Sequence, residues 1–228
     1  MEIKDKVIIV TGASEGIGLA TAKHLAKLGG RIVMAARSED ILMNLEKEIK
    51  ISFAVVTDMR KEEDVKKLVD KTIKKYGRID ILINNAGQGM YGPVENINID
   101  NFKKIMDLNL YGVLNAMELV IPHMKKQGKG MIVNISSGVS KRYIPGIGAY
   151  SASKYALNAL SFIAREELKK DNISVCTVFP KITSTRFGEN AIGKRPDFSG
   201  RNLPVDSPEK VAEKIAEIIK SEEEETVL

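Results

Sequence analysis

Residues 7–18 read VIIVTGASEGIG, an apolar run that leads through a glycine-rich turn into a helical pattern. A turn at this place predicts a phosphate site, because the first N–H groups of a helix have no partner within it and lie at the positive end of its dipole. Gly12 permits the tight turn, while Gly16 and Gly18 let the backbone approach a ligand and the sheet closely. The other candidate ligand contacts in the turn are Ser14, Glu15 and Ile17.

Short apolar runs alternate with longer helical patterns along the whole chain. Most of these runs are nearly continuous in Val, Ile and Leu, as is typical of strands buried on both faces. The predicted strands are 7–10, 31–35, 52–56, 79–83, 131–135 and 173–179, and the predicted helices include 17–28, 62–76, 101–126 and 149–169. This alternation predicts the α/β class: a Rossmann-type doubly wound parallel sheet with helices on both faces, in a single domain over residues 1–228.

The composition argues against several classes of function. A net charge of +5 with lysines spread along the chain disfavours nucleic acid as a partner. Cys176 is the only cysteine, so no intrachain disulfide can form. No apolar stretch approaches the ~18 residues needed to cross a membrane, and no signal peptide precedes the first strand. We therefore expect a cytoplasmic protein without a membrane partner. The two histidines, His24 and His123, show no metal-ligand spacing, so no metal is expected.

Tyr150 and Lys154 form a second chemical signal. They are four residues apart at the start of a predicted helix, so both project from one face. Such a pair on its own is more often structural. Here it follows Ser136 and Ser137 at the end of an apolar strand, where open α/β sheets place their ligand-binding groups. A nearby ammonium lowers a tyrosine pKa from its ordinary value of about 10, which suits proton transfer.

Taken in order, these motifs resemble those of the short-chain dehydrogenase/reductase family. The glycine turn has the spacing Gly-x-x-x-Gly-x-Gly, and Asn-Asn-Ala-Gly follows the fourth predicted strand at residues 84–87. The resemblance spans residues 11–185. It implies an oxidoreductase with a catalytic tetrad of Asn109, Ser137, Tyr150 and Lys154.

The resemblance implies a role for each member of the tetrad. Tyr150 would donate its proton to a carbonyl oxygen in reduction, or accept it in oxidation. Lys154 would lower the pKa of Tyr150 and hold the nicotinamide ribose, and Ser137 would orient and polarise the carbonyl. Asn109, a polar residue among apolar neighbours in a helical pattern, would hold a water that connects Lys154 to solvent. A hydrogen bond between helices is its structural alternative.

The resemblance also implies a dinucleotide site that runs along the carboxyl edge of the sheet. Asp58 would lie near the adenine amino group, and Thr183 and Thr185 would hold the carboxamide. Lys181 stands where the family usually has glycine, which predicts a different local turn. The expected cofactor contacts are Gly12, Ser14, Glu15, Gly16, Ile17, Gly18, Arg37, Ser38, Asp58, Met59, Asn85, Ala86, Gly87, Tyr150, Lys154, Pro180, Thr183 and Thr185.

The end of the second strand predicts which nicotinamide cofactor is used. An NAD-specific enzyme of this fold usually has an acid there, which accepts hydrogen bonds from both ribose hydroxyls. Ala36 occupies that position, and the guanidinium of Arg37 follows it and suits the 2′-phosphate of NADP. Ser38 and Ser14 add hydroxyls. Glu15 argues the other way, because many NADP-preferring relatives carry a basic residue at its position. We predict NADP(H).

Residues 184–205 interrupt the alternation and are predicted to form a substrate lid. The segment is rich in Gly and Pro, and loops of about 20 residues are usually functional or disordered. Its basic residues would meet an acidic carrier if the enzyme were a 3-oxoacyl-carrier-protein reductase, although a solvated loop is the simpler interpretation. They are Arg186, Lys194, Arg195 and Arg201.

The C-terminus and the long helices bear on assembly. Many family members end in a seventh strand and a tail that packs between subunits. Here the acids at 222–225 oppose the helix dipole, so the last helix should end near Ser221 and leave at most a stub of that strand. The family's four-helix interface corresponds to predicted helices 101–126 and 149–169. A homodimer or homotetramer is therefore expected.

The sequence leaves the substrate open. The leading interpretation is a general ketone or aldehyde reductase, or an alcohol dehydrogenase, acting on a small-molecule carbonyl or alcohol. The alternative is a catalytically silent NADP-binding sensor or scaffold. The presence of both Tyr150 and Lys154 argues against it.

Overall fold

A parallel sheet runs through the computed structural model, which describes residues 1–196 and 204–228. The strands in these residues are β1 (Val7–Thr11), β2 (Arg31–Ala36), β3 (Ser52–Val56), β4 (Ile81–Asn84), β5 (Gly130–Ile135), β6 (Ile173–Phe179), β7 (Ile182–Thr183), β8 (Val205–Asp206) and β9 (Glu225–Val227). The helices are α1 (Gly16–Lys27), α2 (Glu39–Glu48), α3 (Glu62–Tyr76), α4 (Ile99–Met106), α5 (Gly112–Gln127), α6 (Gly148–Leu168) and α7 (Pro208–Ser221).

The order of the strands confirms the doubly wound sheet. Among the described residues, seven strands pair in the order β3-β2-β1-β4-β5-β6-β9, all of them parallel. The chain winds outward from β1 to β3 and then returns to the other side of β1. The crevice at the carboxyl ends of β1 and β4 is therefore a topological switch point, where open α/β sheets bind their ligands.

The two faces of the sheet explain why the strands are nearly continuous in apolar residues. Ile8 and Val10 of β1 pack in the layer that includes α1, α2 and α7, whereas Val7 and Ile9 pack in the layer that includes α3, α5 and α6. All four side chains are fully buried. Because successive residues of a strand point to opposite faces, a strand covered on both sides has no solvent-facing position left for a polar residue.

Two predicted elements begin two residues away from their predicted start, whereas the other predicted bounds agree with the structure to within one residue. The fourth strand begins at Ile81 rather than at residue 79, because the side-chain amide of Gln127 takes both backbone groups of Ile79, at 3.0 and 2.8 Å. The helix predicted at 101–126 begins at Ile99 and contains a π-helical turn, Asp107–Tyr111, between α4 and α5. Such turns are frequent at functional sites. Helix α2 was not among the predicted elements.

The C-terminus follows the sequence prediction. Helix α7 ends at Ser221, and Glu222 adopts a left-handed conformation that turns the chain toward the sheet. The short strand β9 then pairs with β6, so a stub of the seventh strand is present. No helix in residues 1–196 and 204–228 is long and apolar enough to cross a membrane.

The predicted lid lies between two strands that pair with each other. Strands β7 and β8 form a short parallel ladder, which Ser184 extends by donating its N–H to the carbonyl of Asp206 at 2.9 Å. Residues 197–203 of the lid, which include Arg201, lie outside the described residues.

Candidate active site

The glycine turn between β1 and α1 is tightly packed against the end of β4. Gly12 and Gly16 have φ angles of +66° and +56°, a left-handed conformation that favours glycine. A side chain at Gly18 would overlap the carbonyl oxygen of Gly12 and come within 2.5 Å of Asn85 Nδ2. Asn85 Nδ2 in turn donates to the carbonyl of Thr11 at 2.9 Å. The turn is therefore fixed to the Asn-Asn-Ala-Gly segment.

These residues fit the phosphates of a dinucleotide. Helix α1 begins at Gly16, and the preceding residue, Glu15, makes no side-chain cap to its N–H groups. A Cβ on Gly16 would lie 3.2 Å from Thr185 Cγ2, so the turn faces the segment that follows β7. The predicted contacts in the turn and at Thr185 are thus close together, next to a helix N-terminus suited to anions.

The end of β2 holds the residues predicted to select the cofactor. Ala36 is buried and the following Arg37 and Ser38 are exposed. The glycine turn lies beside this strand, because the N–H of Ala13 donates to the carbonyl of Ala35 at 3.2 Å. The adenine end of the expected site therefore presents a guanidinium and a hydroxyl but no acid at the strand end.

Asp58 forms an ion pair with Arg60, which was not predicted from the sequence. Arg60 donates from Nη2 to Asp58 Oδ2 at 2.6 Å and from Nε to Oδ1 at 2.9 Å. This hydrogen bonding holds the pKa of Asp58 below its ordinary value, with Arg37 adding a smaller electrostatic contribution. The neighbouring Met59 is buried, and its carbonyl oxygen packs against Gly112, where a side chain would overlap it.

The four residues of the predicted tetrad converge beside Gly87. Lys154 Nζ donates to the carbonyl of Ile135 at 2.8 Å and lies 6.0 Å from the centre of the Tyr150 ring. The hydroxyl of Ser137 is close enough to the Tyr150 phenol to lower its pKa. A Cβ on Gly87 would lie 3.3 Å from Asn109 Oδ1 and 3.7 Å from Lys154 Nζ. Three separate segments, the π-helical turn, the end of β5 and the start of α6, thus supply one cluster.

Burial reverses one electrostatic expectation. We expected Lys154 to lower the pKa of Tyr150, whereas burial raises that pKa well above its ordinary value. The nearby Ser137 hydroxyl opposes the rise only in part. Burial also lowers the pKa of Lys154 to about 8. The reason is the cost of removing both groups from water, which disfavours the charged form of each and outweighs the attraction between them. The phenol is therefore protonated at neutral pH.

Asn109 makes more contacts than predicted. Its side chain is fully buried, and Nδ2 donates to the carbonyl of Gln88 and to Ser153 Oγ, both at 3.0 Å. Its Oδ1 accepts from the N–H of Gln88 at 2.9 Å. Both amide hydrogens therefore have protein partners. One partner, Ser153, lies on α6, so the hydrogen bond between helical segments that was the structural alternative for Asn109 is present. Neither Gln88 nor Ser153 was singled out from the sequence.

The segment after β7, residues 184–196, covers Tyr150. Phe187 packs on Tyr150 with ring centres 5.5 Å apart. Ile192 pairs with the segment after β4, its carbonyl accepting from the N–H of Tyr91 at 2.7 Å and its N–H donating to Gly89 at 3.0 Å. This part of the predicted lid is thus hydrogen-bonded to the loop that follows Gly87. Phe187 gave no signal in the sequence because its role depends on this pairing.

Lys181 and Glu15, which depart from the usual family residues at their positions, are explained by the local backbone and by local contacts. Lys181 is not among the residues with positive φ, so its replacement of glycine needs no left-handed turn. Glu15 accepts a hydrogen bond from Asn190 at 2.8 Å and lies 3.9 Å from Arg186. Its carboxylate is therefore paired with the covering segment. In the described part of the chain, no group of three or more His, Cys, Asp or Glu side chains is suited to hold a metal ion.

The fold and the clustered side chains are those of an oxidoreductase with a dinucleotide site. The sequence model described as short chain dehydrogenase matches residues 6–195, so the chain belongs to the short-chain dehydrogenase family. Members of this family are oxidoreductases that bind nicotinamide cofactors and act on small molecules.

Similar proteins cover nearly the whole chain. An uncharacterized oxidoreductase of Listeria innocua is 35% identical over 233 residues, covering 98% of this chain and 94% of the relative. A solved structure of 3-ketoacyl-(acyl-carrier-protein) reductase from Brucella melitensis, complexed with NADH, has a TM-score of 0.90 at 27% identity and covers 99% of this chain and 96% of that chain. An alcohol dehydrogenase from the archaeon Thermococcus sibiricus, complexed with 5-hydroxy-NADP, has a TM-score of 0.84 at 29% identity and the same two coverages.

Proposed function

We propose that this protein is an NADP(H)-dependent oxidoreductase that interconverts a carbonyl and an alcohol, with Tyr150 as general acid and base. The observation that carries the proposal is the convergence of Asn109, Ser137, Tyr150 and Lys154 beside the Asn-Asn-Ala-Gly segment and the glycine turn. A silent sensor would have no need for a buried lysine beside a buried tyrosine, because both groups cost free energy to desolvate.

Tyr150, Ser137 and Lys154 each have a different role in the proposed proton transfer. NADP(H), when bound, supplies or accepts the hydride. Tyr150 is protonated at neutral pH, because burial raises its pKa, and it gives this proton to the carbonyl oxygen in reduction. Ser137, whose hydroxyl lies near the phenol, orients the same oxygen. The Lys154 ammonium favours the phenolate that remains, and the glycine turn and Thr185 hold the phosphates and the carboxamide end.

Oxidation of NADPH with a panel of ketones, aldehydes and acetoacetyl thioesters tests the proposed activity. We expect turnover with at least one carbonyl class, and turnover confined to thioesters would indicate a 3-oxoacyl-carrier-protein reductase, the function named for the Brucella melitensis relative. NADPH binding without turnover on any of these compounds would contradict the proposal and favour the sensor alternative.

The charges around β2 support NADP(H) over NAD(H). The acid that would accept hydrogen bonds from both ribose hydroxyls is absent at Ala36, and the exposed Arg37 follows it. Glu15, which argued for NAD(H), has its carboxylate paired with Asn190 and Arg186 on the covering segment.

Arg37→Ala should weaken NADPH binding while NADH binding stays nearly unchanged. A charge-assisted hydrogen bond contributes about 1.5–3 kcal/mol, so the loss should be about ten- to a hundredfold in Kd. Titration of both cofactors by fluorescence measures the effect. Arg31→Ala is the matched control, because Arg31 is exposed at the opposite end of the same strand and pairs with Asp5. Higher wild-type kcat/KM with NADH than with NADPH would refute the assignment.

We also propose that residues 184–205 form a substrate lid. The support comes from residues 184–196, where Phe187 covers Tyr150 and Gln88 Nε2 donates to the carbonyl of Asn190 at 2.8 Å. A substrate must reach the phenol that Phe187 covers, so this segment has to move during turnover.

A homodimer or homotetramer is the assembly that we propose. The helices that correspond to the family interface expose large apolar side chains, which an isolated subunit would leave in water. Ile99, Tyr111 and Ile163 are 59%, 52% and 61% exposed. Ile99 begins α4, Tyr111 ends the π-helical turn before α5, and Ile163 lies on α6, so these side chains support pairing through the two long helical segments predicted for that role.

A further inference from the structure

Ser153 connects two members of the tetrad. Its side chain is fully buried next to Lys154 in the first turns of α6. Its hydroxyl accepts from Asn109 Nδ2 at 3.0 Å and donates to the main-chain carbonyl of Tyr150 at 2.7 Å. The hydroxyl thus joins the π-helical turn to the backbone of the residue whose phenol transfers the proton.

Every polar atom of the Asn109 side chain next to Ser153 has a hydrogen-bond partner. The two amide hydrogens of Asn109 go to Gln88 and Ser153, and its oxygen accepts from the N–H of Gln88. Gln88 follows the Asn-Asn-Ala-Gly segment directly, so the same amide fixes that segment and the start of α6 in one arrangement. In a buried setting each such bond is expensive to lose, because an unpaired polar group keeps its desolvation cost.

We propose that Ser153 is a positioning residue for the proton transfer, acting by holding the Tyr150 backbone to Asn109. This inference rests on the proposed function. Without the hydroxyl, the first turn of α6 loses its attachment to Asn109, and the phenol loses its fixed position relative to Ser137. A displacement of about 1 Å at the reacting group costs up to about 10²-fold in rate, so a moderate loss of kcat is expected.

A second serine on α6 allows this role to be separated from ordinary helix chemistry. Ser161 is also fully buried, donates to the carbonyl of Leu157 at 2.7 Å and accepts from Asn134 Nδ2 at 2.8 Å. It makes the same kind of contacts as Ser153, two turns further along and away from the tetrad. If a buried serine matters only because its hydroxyl satisfies the preceding turn and a buried amide, both positions should respond alike.

The experiment compares Ser153→Ala with Ser161→Ala in the full-length protein. For Ser153→Ala we expect kcat to fall about tenfold, with the NADPH Kd within about twofold of wild type and a loss of melting temperature equal to that of Ser161→Ala. Ser161→Ala should keep wild-type kcat. If Ser153→Ala does not fold, Ser153→Cys replaces it, because it has a similar size and a weaker hydrogen-bonding group.

A second readout does not depend on turnover. Tyrosine labelled with ¹³C at Cζ, with the Tyr150 signal assigned from its absence in Tyr150→Phe, reports the position and ionisation of the phenol. We expect this signal to shift or broaden in Ser153→Ala and to stay unchanged in Ser161→Ala. If wild type lacks turnover while the signal responds in this way, the proposed function fails, and only the part of the inference by which Ser153 positions the Tyr150 phenol stands. Equal losses of kcat in the two variants, or an unmoved Tyr150 signal in Ser153→Ala, would overturn the inference.

Discussion

Tyr150→Phe is expected to reduce kcat by about 10²-fold or more while leaving NADPH binding nearly intact. The substitution removes one oxygen, which carries the proton that we assign to the carbonyl. The buried ring keeps its contact with Phe187, and Ser137 Oγ still accepts from the N–H of Val139 at 3.3 Å. Steady-state NADPH oxidation, together with a binding titration and a melting curve, separates lost chemistry from lost structure.

Tyr76→Phe is the control for that substitution. Tyr76 lies at the end of α3, where its ring packs edge-on against Phe53 with ring centres 6.5 Å apart, remote from the tetrad. We expect wild-type kcat for this variant. If purified Tyr150→Phe retained near-normal turnover, another group would have to supply the proton and the assignment of Tyr150 would be wrong.

The sheet was predictable because its strands are covered on both faces. Runs such as residues 7–10 have no polar position, and only a doubly covered strand accommodates such a pattern. The start of β4 was not predictable from its own residues. Its displacement depends on Gln127, which is 48 positions away in the sequence and binds both backbone groups of Ile79. Local patterns predict which segments pair, whereas side chains from distant segments decide where pairing stops.

The tetrad was predicted from the resemblance of its motifs to those of a known family, and the structure brings its members together. The electrostatics could not be predicted in the same way. The pKa of Tyr150 depends on burial, which the covering segment with Phe187 helps to produce. The roles of Gln88 and Ser153 could not be predicted either. A serine in a helix and a glutamine in a loop belong to no sequence motif, and only the structure shows that both accept hydrogen bonds from Asn109.

Lys154→Met should lower kcat by about 10²-fold and also weaken NADPH binding by about tenfold. Two contributions are lost: the charge that favours the phenolate, and the contact that we assign to the nicotinamide ribose. Methionine keeps the length of the aliphatic stem and removes a buried ammonium, which offsets the loss of the hydrogen bond to the carbonyl of Ile135, so folding should be preserved. Lys169→Met, at an exposed position just beyond α6, is the matched control and should behave as wild type. An unchanged NADPH Kd in Lys154→Met would show that the ribose contact is wrong.

The pH dependence of reduction tests the same lysine in the unmodified protein. Burial lowers the pKa of Lys154 to about 8, so its charge is present below that pH and is lost above it. Burial raises the pKa of Tyr150, so the phenol keeps its proton across the same range. The reductive kcat should therefore be level below pH of about 8 and decline above it, because a neutral amine no longer favours the phenolate. In Lys154→Met the residual rate should lack this decline. A wild-type kcat that still rises through pH of about 9 would contradict the role of the Lys154 charge.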